Sequence, residues 1–156
     1  MYKIVMTEKA VKSLQKIPRA DVDNFLRKIN IIKKDPYAQL SFVKRLKNSQ
    51  NFRFRFGDYR GVYNIVDKIL TITVIDVAHR KDIYIGGINM AAFQIISEKD
   101  KPKFVVLPFG GKKAVQDYMD ELWAEKAIAD FEKSKPKKLY SLDDVKEKLK
   151  KKEFAK

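Results

Sequence analysis

From Asn51 the chain runs Asn-Phe-Arg-Phe-Arg-Phe, an alternation of apolar and charged residues with a period of two that reads as a β-strand with one buried face. The period sends Phe52, Phe54 and Phe56 to one side and Arg53 and Arg55 to the other, with the phenylalanines serving the core. Period two continues downstream. It predicts strands at about 51–57, 59–67 and 69–78, separated by the turn signals Gly57-Asp58 and Asp67-Lys68.

Upstream the period is helical. After a short β-branched and aromatic run, MYKIVM, Thr7 is placed to cap a helix carrying Ala10, Val11, Leu14 and Ile17, which Pro18 stops. Val22, Phe25, Leu26, Ile29 and Ile32 repeat the pattern until Asp35-Pro36. Strand, two-helix hairpin and three-stranded meander predict an α+β unit, with the hairpin laid on one face of a small antiparallel sheet.

Gly86-Gly87 breaks this pattern, and INMAAFQIISEKDKPK reads as a weakly structured connection. A second unit is expected from KFVVLP, a strand at 103–108. Next comes a helix from about Lys112 to Lys133 whose stripe Val115, Tyr118, Met119, Leu122, Trp123, Ala127, Ile128 and Phe131 must pack against something. SKPKK is a linker. In YSLDD, Ser141 is an N-cap, Asp144 a carboxylate form of the capping box, and Tyr140 with Val145 a hydrophobic staple. The expected organisation is a domain at 1–88, a connection at 89–102, and a segment at 103–156 whose strand and two helices wrap the first.

Charge divides the chain in the same place. Residues 1–88 hold 18 Lys and Arg against 8 Asp and Glu, within a chain of net charge +14. Such an excess favours anionic partners such as nucleic acid. Residues 114–132 reverse it, with six acids against one base. An acidic amphipathic helix on the same chain as a basic domain predicts an internal partner. The chain has no cysteine, which removes disulfides, thiolate metal sites and cysteine nucleophiles. With no signal core and no apolar run of membrane-spanning length, a cytoplasmic protein without membrane partners is expected.

Arg53 and Arg55 face away from the core about 7 Å apart, near Arg60 and Arg80. Guanidinium groups match phosphate oxygens and stay charged at physiological pH, so this face reads either as an anion-binding surface or as a solvated face with salt bridges to Asp58, Asp76 or Asp82. Cleavage of RNA by the adjacent 2′-hydroxyl needs a proton acceptor, charge stabilisation on phosphorus and a proton donor. Arginines meet the second need. His79, otherwise a structural or surface histidine, and Tyr84 are the candidates for proton transfer, and no cluster with metal-ligand spacing competes with them.

YKIVMTEKAVKSLQKIP, RFRFGDYRGVYNI and VAHRKDIY, in this order over about residues 2–86, resemble the RelE/ParE superfamily of bacterial and archaeal toxins, and specifically its RelE branch. The resemblance implies a ribosome-dependent endoribonuclease that cuts messenger RNA without metal or other cofactor. It implies phosphate-stabilising roles for Arg60 and Arg80 and a catalytic role for Tyr84. Arg53 and Arg55 stand where some members have lysines, and because arginine does not deprotonate they are read as electrostatic clamps. Arg45, Lys47 and Lys81 are the further RNA-binding candidates. The ParE branch, which inhibits gyrase without cleaving RNA, shares the framework; a degenerate repressor is the other non-catalytic reading.

The second half, from KPKFVVLP through SLDDVKEKL, is similar to short RelB-like antitoxins, with an accessory helix of one larger domain as the alternative. The similarity implies inhibitory contacts through Val115, Tyr118, Leu122, Trp123 and Phe131. The expected partners are the ribosome and messenger RNA for the first half and the chain's own second half, with operator DNA or a second copy as further partners.

Overall fold

The computed structural model describes residues 2–46, 50–85, 94–99, 101–106, 112–134, 136 and 138–154. Strand β1 (Lys3–Thr7) leads directly into α1 (Glu8–Gln15), and Thr7 makes the junction. Its Oγ1 accepts from the Ala10 N–H at 3.1 Å and donates to the Ile75 carbonyl at 2.6 Å, so one buried hydroxyl caps a helix and ties it to a strand. Thr7→Val keeps the shape and removes both bonds. An expected loss of about 1–2 kcal/mol, from a cap and one further bond, is checked by urea unfolding.

Helix α2 (Arg19–Lys34) follows Pro18 and ends at Asp35. The sheet continues with β2 (Val43–Arg45), β3 (Asn51–Phe56), β4 (Tyr59–Val66) and β5 (Thr71–His79). The third strand of the meander starts later than the pattern suggested. Asp67–Ile69 form a 3-10 turn instead, closed by Leu70 in the left-handed region at φ 45°. The three-residue β2 has too few residues to display a period, and the sequence reading did not contain it.

After α3 (Arg80–Ile85) come β6 (Gln94–Glu98), β7 (Lys101–Val106), α4 (Lys112–Ser134), β8 (Leu139–Ser141) and α5 (Leu142–Phe154). The main sheet has the order β2-β3-β4-β5-β1-β8. Two expectations are corrected here. The sheet is mixed, because β1 runs parallel to β5, with Lys3 opposite Thr71. The connection expected at 89–102 contains β6, which pairs with β7 as a separate hairpin; Lys99 in the left-handed region, at φ 53°, accounts for the tight reversal. The strand expected at 103–108 is β7 of this hairpin, and β8 is what joins the main sheet, antiparallel to β1 with Met6 opposite Tyr140. Ser141 and Asp144 form the anticipated reciprocal cap, at 3.2 and 3.4 Å.

Helices cover both faces of the sheet. On one face α1, α2 and α5 enclose a core of Leu14, Phe25, Ile29, Phe54, Phe56, Tyr63, Leu142 and Val145. On the other, Ala124, Ala127 and Ile128 of α4 pack on Leu46, Val62 and Ile75, with Trp123 and Phe131 alongside. Gly61 lies beneath the Phe54 ring, where a Cβ would stand 2.4 Å from ring carbons. Gly61→Ala is therefore expected to cost about 1–3 kcal/mol through overpacking, read as a lower urea midpoint.

Candidate functional site

The arginines of the meander do converge, and what they converge on is α4. Arg53 and Arg55 alternate with the core phenylalanines of β3, and Arg60 lies opposite Arg55 on β4. All three point away from the aromatic core. Opposite them α4 presents Asp117, Asp120 and Glu121, whose three- and four-residue spacing keeps them on one helical face.

Asp120 is the centre of the arrangement, at 1% exposure. Its Oδ2 accepts from Arg60 Nε at 2.9 Å and Arg55 Nη2 at 3.0 Å, and lies 3.6 Å from Arg53 Nη1. Glu121 accepts from Arg53 Nε at 2.9 Å, and Asp117 from Arg55 Nη2 at 2.8 Å and Lys44 Nζ at 2.7 Å. Arg53 and Arg60 are thereby buried, at 8% and 6% exposure, and what remains of the cleft is a cavity of about 30 Å³. Ligand-binding clefts run to roughly 300–1,000 Å³, so this one is shut. Neither reading of an open arginine face describes the intact chain, because the acids that pair with Arg53, Arg55 and Arg60 come from its second half.

Burial tends to raise the Asp117 carboxyl, but the Lys44 hydrogen bond and the charges of Lys44, Arg53 and Arg55 outweigh it and hold it below the usual 3.8. A carboxyl depressed in the folded state contributes its stability above its unfolded value, and that contribution goes as pH falls through the folded value. Docking of α4 is therefore expected to hold at pH 5 and to weaken progressively below about pH 4. Tryptophan emission, which reports on Trp123 of α4, followed against pH checks this.

Lys28 of α2 was not singled out in the sequence, where it looks like any surface lysine on an amphipathic helix. It donates to the Arg55 carbonyl at 2.7 Å and lies 4.8 Å over the Phe42 ring. Burial, then Arg27 and Arg60, push its ammonium down from 10.5. Lys44 was also missed, since nothing marked β2 as a strand.

The remaining candidates lie elsewhere. Arg80 starts α3, its N–H donating to the Asp58 carbonyl at 2.8 Å and its Nε standing 3.7 Å from Asp58 Oδ1. It joins the end of β5 to the β3–β4 turn and stays outside the Asp120 cluster, contrary to the expectation that it shares one face with Arg53, Arg55 and Arg60. His79 packs edge-on against Tyr59 at 4.9 Å, and its Nδ1 accepts from the Lys81 N–H at 3.1 Å. A neutral ring engaged in this way carries its proton on Nε2 and presents a donor. Lys81 is exposed, and Arg45 lies on the edge strand β2. Tyr84 belongs to α3, but its side chain, like all of Lys47, lies outside the described residues.

On α4 the expected apolar contacts divide. Trp123 and Phe131 join the second core, whereas Val115, Tyr118 and Leu122 are half-buried outside it. The docked face runs through Asp117, Asp120, Ala124 and Ile128, because the guanidiniums opposite select the acidic stripe. Among the described residues, no group of three or more His, Cys, Asp or Glu is arranged to hold a metal, and no helix is long and apolar enough to cross a membrane.

Near Arg60, β5 carries one residue more than β4. Val62 pairs with Asp76 and Tyr63 with Val74, so Ile75 is a bulge. The bulge turns both Ile75 and Asp76 towards α4. Asp76 is 5% exposed, with Lys9 Nζ at 3.3 Å from Oδ2 and the Val77 N–H donating to Oδ1 at 2.9 Å. Burial raises its carboxyl above 3.8 in spite of Lys9.

Comparison with known proteins bears on the first half of the chain. A RelE-like toxin protein of Escherichia coli is 27% identical over 85 residues, covering 53% of this chain and 90% of that protein. Among solved structures, the archaeal RelE-RelB complex from Pyrococcus horikoshii OT3 is 29% identical, covering 51% of this chain and 94% of that one, with a TM-score of 0.47. The RelB-RelE antitoxin-toxin complex from Methanococcus jannaschii is 25% identical, covering 51% and 93%, with a TM-score of 0.44. Residues 4–84 match the family described as the ParE toxin of the type II toxin-antitoxin system parDE, and through that domain the chain belongs to this toxin family.

Proposed function

We propose that residues 1–88 form a RelE-like, ribosome-dependent messenger-RNA endoribonuclease, and that residues 103–156, joined through 89–102, are a RelB-like antitoxin segment holding it inactive. The observation that carries this reading is the Asp120 carboxylate, buried among Arg53, Arg55 and Arg60, the residues suited to an RNA backbone. With α4 lifted, Arg53 and Arg55 clamp the strand, Arg45, Lys47 and Lys81 extend the basic track, and Arg60 and Arg80 neutralise charge on the phosphorane. The 2′-hydroxyl attacks phosphorus without metal, and His79 and Tyr84 serve the proton transfers. Tethering gives α4 an effective concentration on the order of millimolar.

Reversing three charges in the full chain, Asp117→Lys, Asp120→Lys and Glu121→Lys, is expected to free the arginine face. Cells expressing this variant should arrest and accumulate cut messages, and adding Arg80→Ala or Tyr84→Phe should abolish the cuts. A variant shown by proteolysis to have an undocked α4, yet leaving messages intact, overturns the ribonuclease assignment. A second reading, a ParE-like domain that inhibits gyrase without cleaving RNA, draws support from the matching family and from Arg80 lying outside the cluster. On that reading the opened variant blocks DNA supercoiling and cuts nothing.

A further inference from the structure

A cavity of about 480 Å³ opens where α1, the end of β5 and α4 meet. Lys9 and Ser13 line it from α1 and Lys16 from the residue after it, Asp76 and His79 from β5, Asp82 from α3 and Trp123 from α4, with Tyr59 beside His79. Its volume suits a mononucleotide, and it stays open in the intact chain while the arginine cleft is closed.

The chemistry of its wall is specific. Asp76 is a buried carboxylate turned to this side by the bulge, and its two oxygens, which together accept about four hydrogen bonds, receive Val77 N–H and Lys9. The Lys9 side chain is 66% exposed and is free to swing towards another anion. A carboxylate with spare lone pairs at the edge of an aromatic-walled cavity accepts from a planar group with two parallel N–H donors. Guanine offers such a pair on its Watson–Crick edge, N1–H beside the N2 amino group. Adenine and cytosine present a ring nitrogen lone pair at that position, which the carboxylate repels. The indole of Trp123 is a stacking surface for a base, and Lys9 and Lys16 are ammonium groups for its phosphate.

We propose that this seam between the two halves of the chain is a binding site for a guanine mononucleotide, with Asp76 reading the base. Occupancy engages Trp123 of α4, so the ligand touches both the toxin-family domain and the helix that closes it.

The test uses the intact protein and reads no cleavage, so its result is separate from that of the ribonuclease reading. Trp123 is the chain's single tryptophan, and its emission is followed while GMP, AMP and CMP are added. GMP should change the emission saturably, at least tenfold more tightly than AMP or CMP, and guanosine should bind more weakly than GMP. Asp76→Asn places an amide N–H₂ against the guanine donors and should erase the preference for GMP over AMP, with circular dichroism confirming the fold. Equal affinity for the three nucleotides, no saturation, or an unchanged preference in Asp76→Asn overturns the proposal. Should Asp76→Asn not fold, the GMP-to-AMP ratio of the unaltered chain decides alone.

Discussion

Asp120→Ala in the full chain is expected to release α4 while the rest of the sheet stays folded. Removing the carboxylate takes from the buried Arg60 the acid it pairs with and leaves the buried Arg53 one acid fewer, both under a tenth exposed. Breaking a buried ion pair from one side costs about 3–5 kcal/mol, because the orphaned charge keeps its desolvation penalty. Glu121 still accepts from Arg53, but Arg60 has its side-chain ion pair with Asp120. Amide exchange in α4 should accelerate by roughly 10²–10⁴-fold, with β3 to β5 much less affected. Asp117→Ala should do far less, since its pairs with Lys44 and Arg55 are partly in solvent and such pairs are worth about 0–1 kcal/mol each. Unchanged exchange in α4 after Asp120→Ala would mean that the apolar contacts of Ala124, Ala127 and Ile128 hold the helix by themselves.

The second large effect is expected from ending the chain at residue 138. That removes β8 and α5, and with them Leu142 and Val145, which belong to the main core beneath the helix hairpin. Burying an aliphatic side chain of this size is worth about 1.5–3 kcal/mol, so the pair accounts for roughly 3–6 kcal/mol of a total stability of about 5–15. The deletion also bares the outer edge of β1, whose backbone groups now pair with Val5, Met6 and Thr7 opposite Ser141, Tyr140 and Leu139. An uncovered edge recruits other strands. The shortened chain should unfold at a much lower urea concentration and self-associate in light scattering. A monomer of unchanged stability would show that the toxin-family domain ends without this segment's help. Activity is for this reason better tested with charge variants of the whole chain than with a 1–88 fragment.

Much of the fold is legible where a residue does one job. Phe52, Phe54 and Phe56 each face the core and nothing else, and Thr7, Pro18 and the Ser141–Asp144 cap are local signals that need no partner. Features set by a distant neighbour were harder to read. Strand β2 exists because β3 offers Phe54 and Phe52 to Val43 and Arg45, and no period fits in three residues. The choice of face on α4 turned on electrostatics. The helix has an apolar stripe through Val115, Tyr118 and Leu122, but three guanidiniums were waiting on the sheet, and the helix docks by the stripe that begins with Asp117 and Asp120. The acidic excess pointed to an internal partner. It did not single out Asp120, which became identifiable only with the register of β3 against β4. Asp76 was hidden for the same reason: the bulge that turns it towards α4 arises from one residue more on β5 than on β4.

The route of the chain from α4 to β8 has a consequence for timing. Helix α4 ends at Ser134 and β8 begins at Leu139, so four residues join the helix over the arginines to a strand anchored on β1. When α4 lifts, its C-terminal end stays moored to β8 by a link that spans at most about 13–18 Å. Closing a short loop takes on the order of 10–100 ns, far shorter than the wait for a collision with any large partner at cellular concentrations. Opening is therefore a rapid pre-equilibrium. A competitor for the arginines gains access in proportion to the open fraction, and a signal that activates this protein has to change that fraction or cut the mooring.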